Sequence, residues 1–185
     1  MSRGEPTAKE RLHFKSAAIP SVVLSDVFSP AETQTLRAHV RSLNFEHVEV
    51  AGRARYTATH VPLNQAPVPA LQQLTENLLG QALVFESGRW LRLQHRDYAL
   101  APDDRLTSPI HRAFIEVIVD ISERSSNEGQ ITYSDGERVF VAPQRSGSVS
   151  IVQRCPGLQR TQRYLTVRSE HDTIIRLIAH FRERA

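Results

Sequence analysis

FIEVIVDISERSSNEGQITYSDGERVFVAPQRSGSVSIVQ, residues 114–153, decides the fold class of this chain. Phe114 to Ser122, Gln130 to Ser134, Arg138 to Ala142 and Ser148 to Gln153 are short segments rich in branched and aromatic residues. Gly129, Asp135-Gly136, Pro143 and Gly147 punctuate the run, which is the pattern of successive strands. Asp135-Gly136 supplies a two-residue hairpin turn between Gln130–Ser134 and Arg138–Ala142. Outward from this block the pattern continues. Trp90 to Leu100 precedes it, and Arg163 to Val167 and Thr173 to Phe181 follow, giving seven strand-like segments at regular spacing. That regularity points to an antiparallel sandwich or barrel.

Upstream the period changes. Ile19 to Leu24 reads as a strand, and Ser29-Pro30-Ala31-Glu32 then carries an N-cap, a proline at the first helical position and a capping-box acid. A helix to about Leu43 follows, with Leu36, Val40 and Leu43 on one face. Leu71, Leu74, Leu78 and Leu79 place a second helix over about Val68 to Leu83. Between the two, Phe45 to Val50 and Arg55 to Pro62 alternate as strands around Gly52. The architecture expected from the residues alone is therefore α+β, mainly β, with a sheet structure buttressed by two N-terminal helices. Residues 1–17 are expected to form a solvated, flexible tail, and 18–185 a single domain.

Composition narrows the functional classes. The 185 residues are 40% hydrophobic and 23% charged, which fits neither wholesale disorder nor a coiled coil. Lys9 and Lys15 are the only lysines among 23 basic residues, so 21 are arginine. That skew is read either as nucleotide composition of the source genome or as recognition of anions or nucleic acid by guanidinium forks. A net charge of +3, no basic run and scattered aromatics weigh against a nucleic-acid surface. Cys155 is the sole cysteine, which excludes an internal disulfide and a CxxC zinc site. No apolar run approaches a membrane span and the first residues lack the apolar core of a signal peptide, so a cytoplasmic location is expected.

The order of motifs adds a resemblance. Val22 to Glu32 is similar to the leading strand and capped first helix of the prolyl-4-hydroxylase-like branch of the Fe(II)/2-oxoglutarate-dependent oxygenases. Leu91 to Asp104 resembles the strand that leads into that family's metal motif. Phe114 to Ser122 with Glu128-Gly129-Gln130-Ile131 resembles the next core strand and its glycine step, and Val141 to Ser148 the later proline and glycine turn. The resemblance runs from about Ile19 to Arg182. It implies a double-stranded β-helix of jelly-roll or cupin-like form, with Fe(II) and 2-oxoglutarate as cofactors if the protein is active.

That family's iron is held by two histidines and a carboxylate. In the register implied by Leu100-Ala101-Pro102, the first histidine position falls on Asp103 and the carboxylate position on Arg105, a permanent cation that cannot ligate. The distal histidine position falls in Leu158 to Val167, which offers Gln159 or Gln162. Asp103 or Asp104 could still serve metal-free acid–base chemistry. A rival register keeps a metal motif in His95-Arg96-Asp97, whose outer side chains share a face if the segment is a strand. His95 and Asp103, eight residues apart, would be separated by roughly 26 Å of extended chain and cannot serve one ion. His171 would be a third ligand in sequence, and His111 lies beside the Phe114 strand. Arg176 is the residue implied as the anchor for the distal carboxylate of 2-oxoglutarate, and Arg163 a weaker one. His180 reads as structural and Cys155 as a loop residue. The resemblance, with these departures, implies a divergent or degenerate oxygenase that binds or acts on a small molecule or protein side chain in the barrel cavity. The alternatives are an active hydroxylase using His95 and Asp97 and, more distantly, an arginine-rich module for nucleic acid or an acidic partner.

Overall fold

A computed structural model describes residues 5–99, 112–124, 129–162 and 173–184. Its elements, in order, are α1 (Ala8–Ser16), β1 (Ser21–Leu24), α2 (Pro30–Arg41), β2 (Glu46–Val50), β3 (Ala54–His60), α3 (Val68–Leu79) and β4 (Leu83–Leu93). Then come β5 (Tyr98–Ala99), β6 (Phe114–Asp120), β7 (Ile131–Ser134), β8 (Val139–Ala142), β9 (Val149–Arg154), β10 (Gln159–Gln162) and β11 (Ile174–Glu183). Every pairing is antiparallel, in the spatial order β1-β9-β6-β11-β4-β3-β5-β10-β7-β8, with β2 on β3. The chain curls into a nearly closed barrel, the jelly-roll form expected.

Two cores lie on opposite faces of the β9-β6-β11-β4 layer. Strand period 2 sends Val117 and Val119 of β6 outward with Leu177 and Ala179 of β11, against Leu36, Val40, Leu71, Leu74 and Leu78 of the helices. The alternate residues, Ile118 and Ile178, face inward with Leu91, Leu93, Val152, Ile131 and Tyr133. With both faces covered, β6 is buried almost throughout.

Local chemistry explains where elements start and stop. The Ser29 hydroxyl accepts the Glu32 amide and the Glu32 carboxylate accepts the Ser29 amide, closing the capping box on α2. α3 stops at Leu79, short of Leu83, because Gly80 takes the left-handed conformation at φ 74° and donates its amide to the Glu76 carbonyl. The segment expected as a flexible tail instead carries a helix. Thr7 and Glu10 form a second capping box for α1, and Phe14 is buried in the outer core. At the β7–β8 connection the loop spans Asp135 to Arg138, with Gly136 and Glu137 at its tip. The Asp135 carboxylate accepts the Arg138 amide there, so the turn lies one residue later than Asp135-Gly136.

Candidate functional site

The barrel interior is charged. Antiparallel register puts side chains of directly paired residues on one face, and His180 of β11 pairs with Glu116 of β6 on one side and Ser87 of β4 on the other. Arg176 pairs with Asp120, and Arg154 with Phe114. Arg89 and Arg160 come in from β4 and β10. Four guanidiniums, Arg89, Arg154, Arg160 and Arg176, thus converge with two carboxylates, Glu116 and Asp120.

Glu116 is the hub. Its Oε1 accepts the Tyr133 hydroxyl at 2.5 Å and Arg154 Nη1 at 3.0 Å; its Oε2 accepts Arg160 Nη1 at 3.0 Å and His180 Nε2 at 2.9 Å. Burial on its own would raise the Glu116 carboxyl, but the Arg154 guanidinium, the His180 ring and the Tyr133 hydroxyl outweigh it and hold the group at about 2. The Arg154 guanidinium also lies over the Phe114 and Tyr133 rings, centroids 5.7 and 5.3 Å away. Arg160 is in the opposite situation. Burial, with the like charges of Arg89 and Arg176, pushes it down to about 9 despite the Tyr56 hydroxyl. It remains a cation at neutral pH, paired with Glu116 Oε2.

Arg160 and His180 open onto a cavity of about 450 Å³, whose wall also carries Glu46, His60, Ser87 and Arg89. His180 Nδ1 lies 3.1 Å from the Ser87 hydroxyl, and the edge of its ring is held by Phe114 at a centroid distance of 4.9 Å. In the tautomer whose Nε2–H donates to Glu116, Nδ1 is the acceptor for the serine O–H.

Of the residues singled out in the sequence, Arg176 is inward and almost fully buried. Its Nε donates to Asp120 Oδ2 at 2.8 Å and its Nη1 to the Gly129 carbonyl at 2.6 Å, while its buried Nη2 makes no hydrogen bond among the described residues. Gln162 is buried with its amide on the same Gly129 carbonyl, and Gln159 is exposed. His95 and Asp97 do not lie on a strand. β4 ends at Leu93, and Gln94 to Asp97 form a turn in which Arg96 has φ 70°, which destroys the period-2 alternation that would aim both side chains together. The Asp97 carboxylate accepts the Gln94 amide at 2.9 Å and sits 3.8 Å from Arg55. Asp103, Asp104, Arg105, Arg163, His111 and His171 lie outside the described residues. Cys155 is exposed in a loop.

Glu116, Ser87, Arg89, Arg154 and Arg160 were not singled out by sequence, and His180 was read as structural. A usable signal existed. FIEVIVD is an apolar strand interrupted by acids four residues apart, both on one face, and an acid buried on such a strand requires buried cations.

No family model matches the sequence, and no curated protein matches it. Solved structures do match over nearly the whole chain. A 2-oxoglutarate/Fe(II) oxygenase-family oxidoreductase from Burkholderia pseudomallei is 11% identical at a TM-score of 0.72, covering 94% of this chain and 89% of that one. A prolyl-4-hydroxylase from Pseudomonas putida is 11% identical at 0.71, over 96% and 99%. HygX from Streptomyces hygroscopicus, with nickel and 2-oxoglutarate bound, is 16% identical at 0.64, over 95% and 87%. At such identities the likeness is one of architecture. The chain has the fold of the 2-oxoglutarate/Fe(II) oxygenases, prolyl-4-hydroxylase included, with Arg89, Arg154, Arg160 and Arg176 turned toward its interior.

Proposed function

We propose that this protein is a divergent oxygenase-fold protein that binds a small organic anion, a dicarboxylate such as 2-oxoglutarate, in the barrel mouth. The observation that carries this reading is the placement of Arg89 and Arg160 on the wall of one cavity, with Arg160 destabilised by neighbouring like charge. A carboxylate between them would relieve that repulsion and accept charge-assisted hydrogen bonds. Arg176, with a buried Nη2 making no hydrogen bond among the described residues, supplies a further cation in the interior.

A 2-oxoglutarate dianion fits this charge pattern. His95 and Asp97 sit in a turn, where the Asp97 carboxylate accepts the Gln94 amide, and Asp103, Asp104, His111 and His171 lie outside the described residues. Anion binding is therefore assigned to the arginines alone, with no oxidation step routed through a metal.

Titration calorimetry with 2-oxoglutarate and succinate, with and without Fe(II), tests the reading, alongside a succinate-formation assay. Binding is expected without metal, and Arg89→Gln and Arg160→Gln should each weaken it roughly tenfold, about 1.4 kcal/mol. Absence of binding, or affinity unchanged in both variants, overturns it. Iron-dependent succinate formation would instead establish the hydroxylase alternative.

A further inference from the structure

Ser87, His180 and Glu116 form a straight row across three adjacent strands. The Ser87 hydroxyl is 3.1 Å from His180 Nδ1, His180 Nε2 is 2.9 Å from Glu116 Oε2, and the carboxylate is wholly buried. This is the connectivity of a nucleophile, a general base and an orienting acid. The ring nitrogens are exchanged relative to the usual arrangement, which leaves the proton path unchanged. Three features of the fold favour chemistry here over a purely structural bond.

First, the row opens on the cavity at the serine and histidine and closes in the core at the glutamate. Second, β4 carries a bulge at this point. Phe181 pairs with Phe85 but His180 pairs with Ser87, so Glu86 is the extra residue. Bulges commonly re-aim a side chain beside a functional site. Third, Arg154 and Arg160 each lie 3.0 Å from Glu116, so the carboxylate that orients His180 is itself fixed by two cations. Nδ1 can then accept the serine proton.

We infer that Ser87 is an acyl-accepting nucleophile and that the barrel mouth cleaves an ester of a small acid bearing a second carboxylate. The choice of an anionic acyl group rests on the anion-binding reading above. Ser87 Oγ attacks the ester carbonyl carbon while its proton passes to His180 Nδ1. The carbonyl oxygen becomes an alkoxide in a cavity lined by Arg89 and Arg160, whose positive charge stabilises it. The bond to the leaving alcohol breaks as that oxygen takes the proton from Nδ1. Water then cleaves the acyl-serine by the same route and regenerates the hydroxyl. Glu116 is a positioning residue that holds the tautomer.

The test uses the full chain carrying Cys155→Ser, which removes the exposed thiol as a competing acyl acceptor. p-Nitrophenyl hydrogen succinate and p-nitrophenyl acetate are the substrates, and a fluorophosphonate is the label. Expected are a nitrophenol burst and a phosphonyl adduct on the Ser87 peptide. Both should fall by roughly 10²-fold or more in Ser87→Ala and His180→Gln. Nitrogen-15 spectra at pH 8 should show the His180 proton on Nε2, with that preference lost in Glu116→Gln. No adduct at Ser87, hydrolysis unchanged in both variants, or a proton on Nδ1 would overturn the inference. Succinate calorimetry on Ser87→Ala separates the two proposals. Succinate binding by Ser87→Ala with no phosphonyl adduct in the Ser87 chain sinks the nucleophile and spares the anion site; an adduct and acetate-ester hydrolysis in the Ser87 chain without succinate binding support the nucleophile and remove its anionic specificity.

Discussion

Glu116 accepts four hydrogen bonds from two arginines, a histidine and a tyrosine, so neutralising it strands two buried guanidiniums. Glu116→Gln is expected to cost about 3–5 kcal/mol in urea unfolding, the usual consequence of breaking a buried ion pair from one side. The pH dependence follows in sign. The folded group lies at about 2, below its ordinary 4.5, so its contribution is complete above pH 4.5 and is lost as pH falls toward 2. That contribution is about 3 kcal/mol, and acid unfolding followed by circular dichroism should locate its loss in this window in wild type and not in Glu116→Gln. Asp97 makes a contrasting case. Its turn bond to Gln94 is local, so Asp97→Ala should cost only about 1 kcal/mol and leave dicarboxylate affinity unchanged. Sequence could not separate these two acids. His95-Arg96-Asp97 has the spacing of a ligand pair, and only the positive φ of Arg96, invisible in an HxD pattern, takes it off the strand.

Among the elements, those with strong local signals were legible: the Ser29–Glu32 capping box, the start of α3, and most strands within two residues. Those fixed by tertiary contacts were not. α1 is polar along most of its length and reads as a tail, yet burial of Phe14 anchors it. Phe14→Ala should therefore destabilise the chain by about 3–5 kcal/mol, measurable by chemical denaturation, where a free tail would show no change. The turn before β9 is equally constrained. Gly147 has φ 79°, and a Cβ there would stand 2.8 Å from the Phe28 carbonyl oxygen. Gly147→Ala is expected to cost about 1–3 kcal/mol in the same assay through backbone strain and displacement of the α2 approach.

Across the whole molecule, the order of elements carried more information than any motif within it. Helices followed by evenly spaced strands are enough to specify a curled antiparallel sheet, because few arrangements cover both faces of strands as apolar as β6. The site was less legible because it is assembled from β4, β6, β9, β10 and β11, one or two residues from each, and register alone brings them together. Scattered arginines looked like a diffuse surface property; at least four are turned inward. A nucleic-acid surface accordingly gains nothing from them, and binding of succinate should depend only weakly on salt, far from the steep slope that phosphate-backbone contacts give.

Among the described residues, the four inward guanidiniums outnumber the Glu116 and Asp120 carboxylates, which has a practical consequence for handling the protein. On the anion-binding proposal, the buffer anion becomes a variable of stability. A small anion present at a hundred times its dissociation constant adds about 2.7 kcal/mol, which for a chain of this size is a rise in melting temperature of about 5–10 °C. Scanning calorimetry in succinate or phosphate against matched chloride should register that difference in wild type, with less of it in Arg89→Gln and Arg160→Gln.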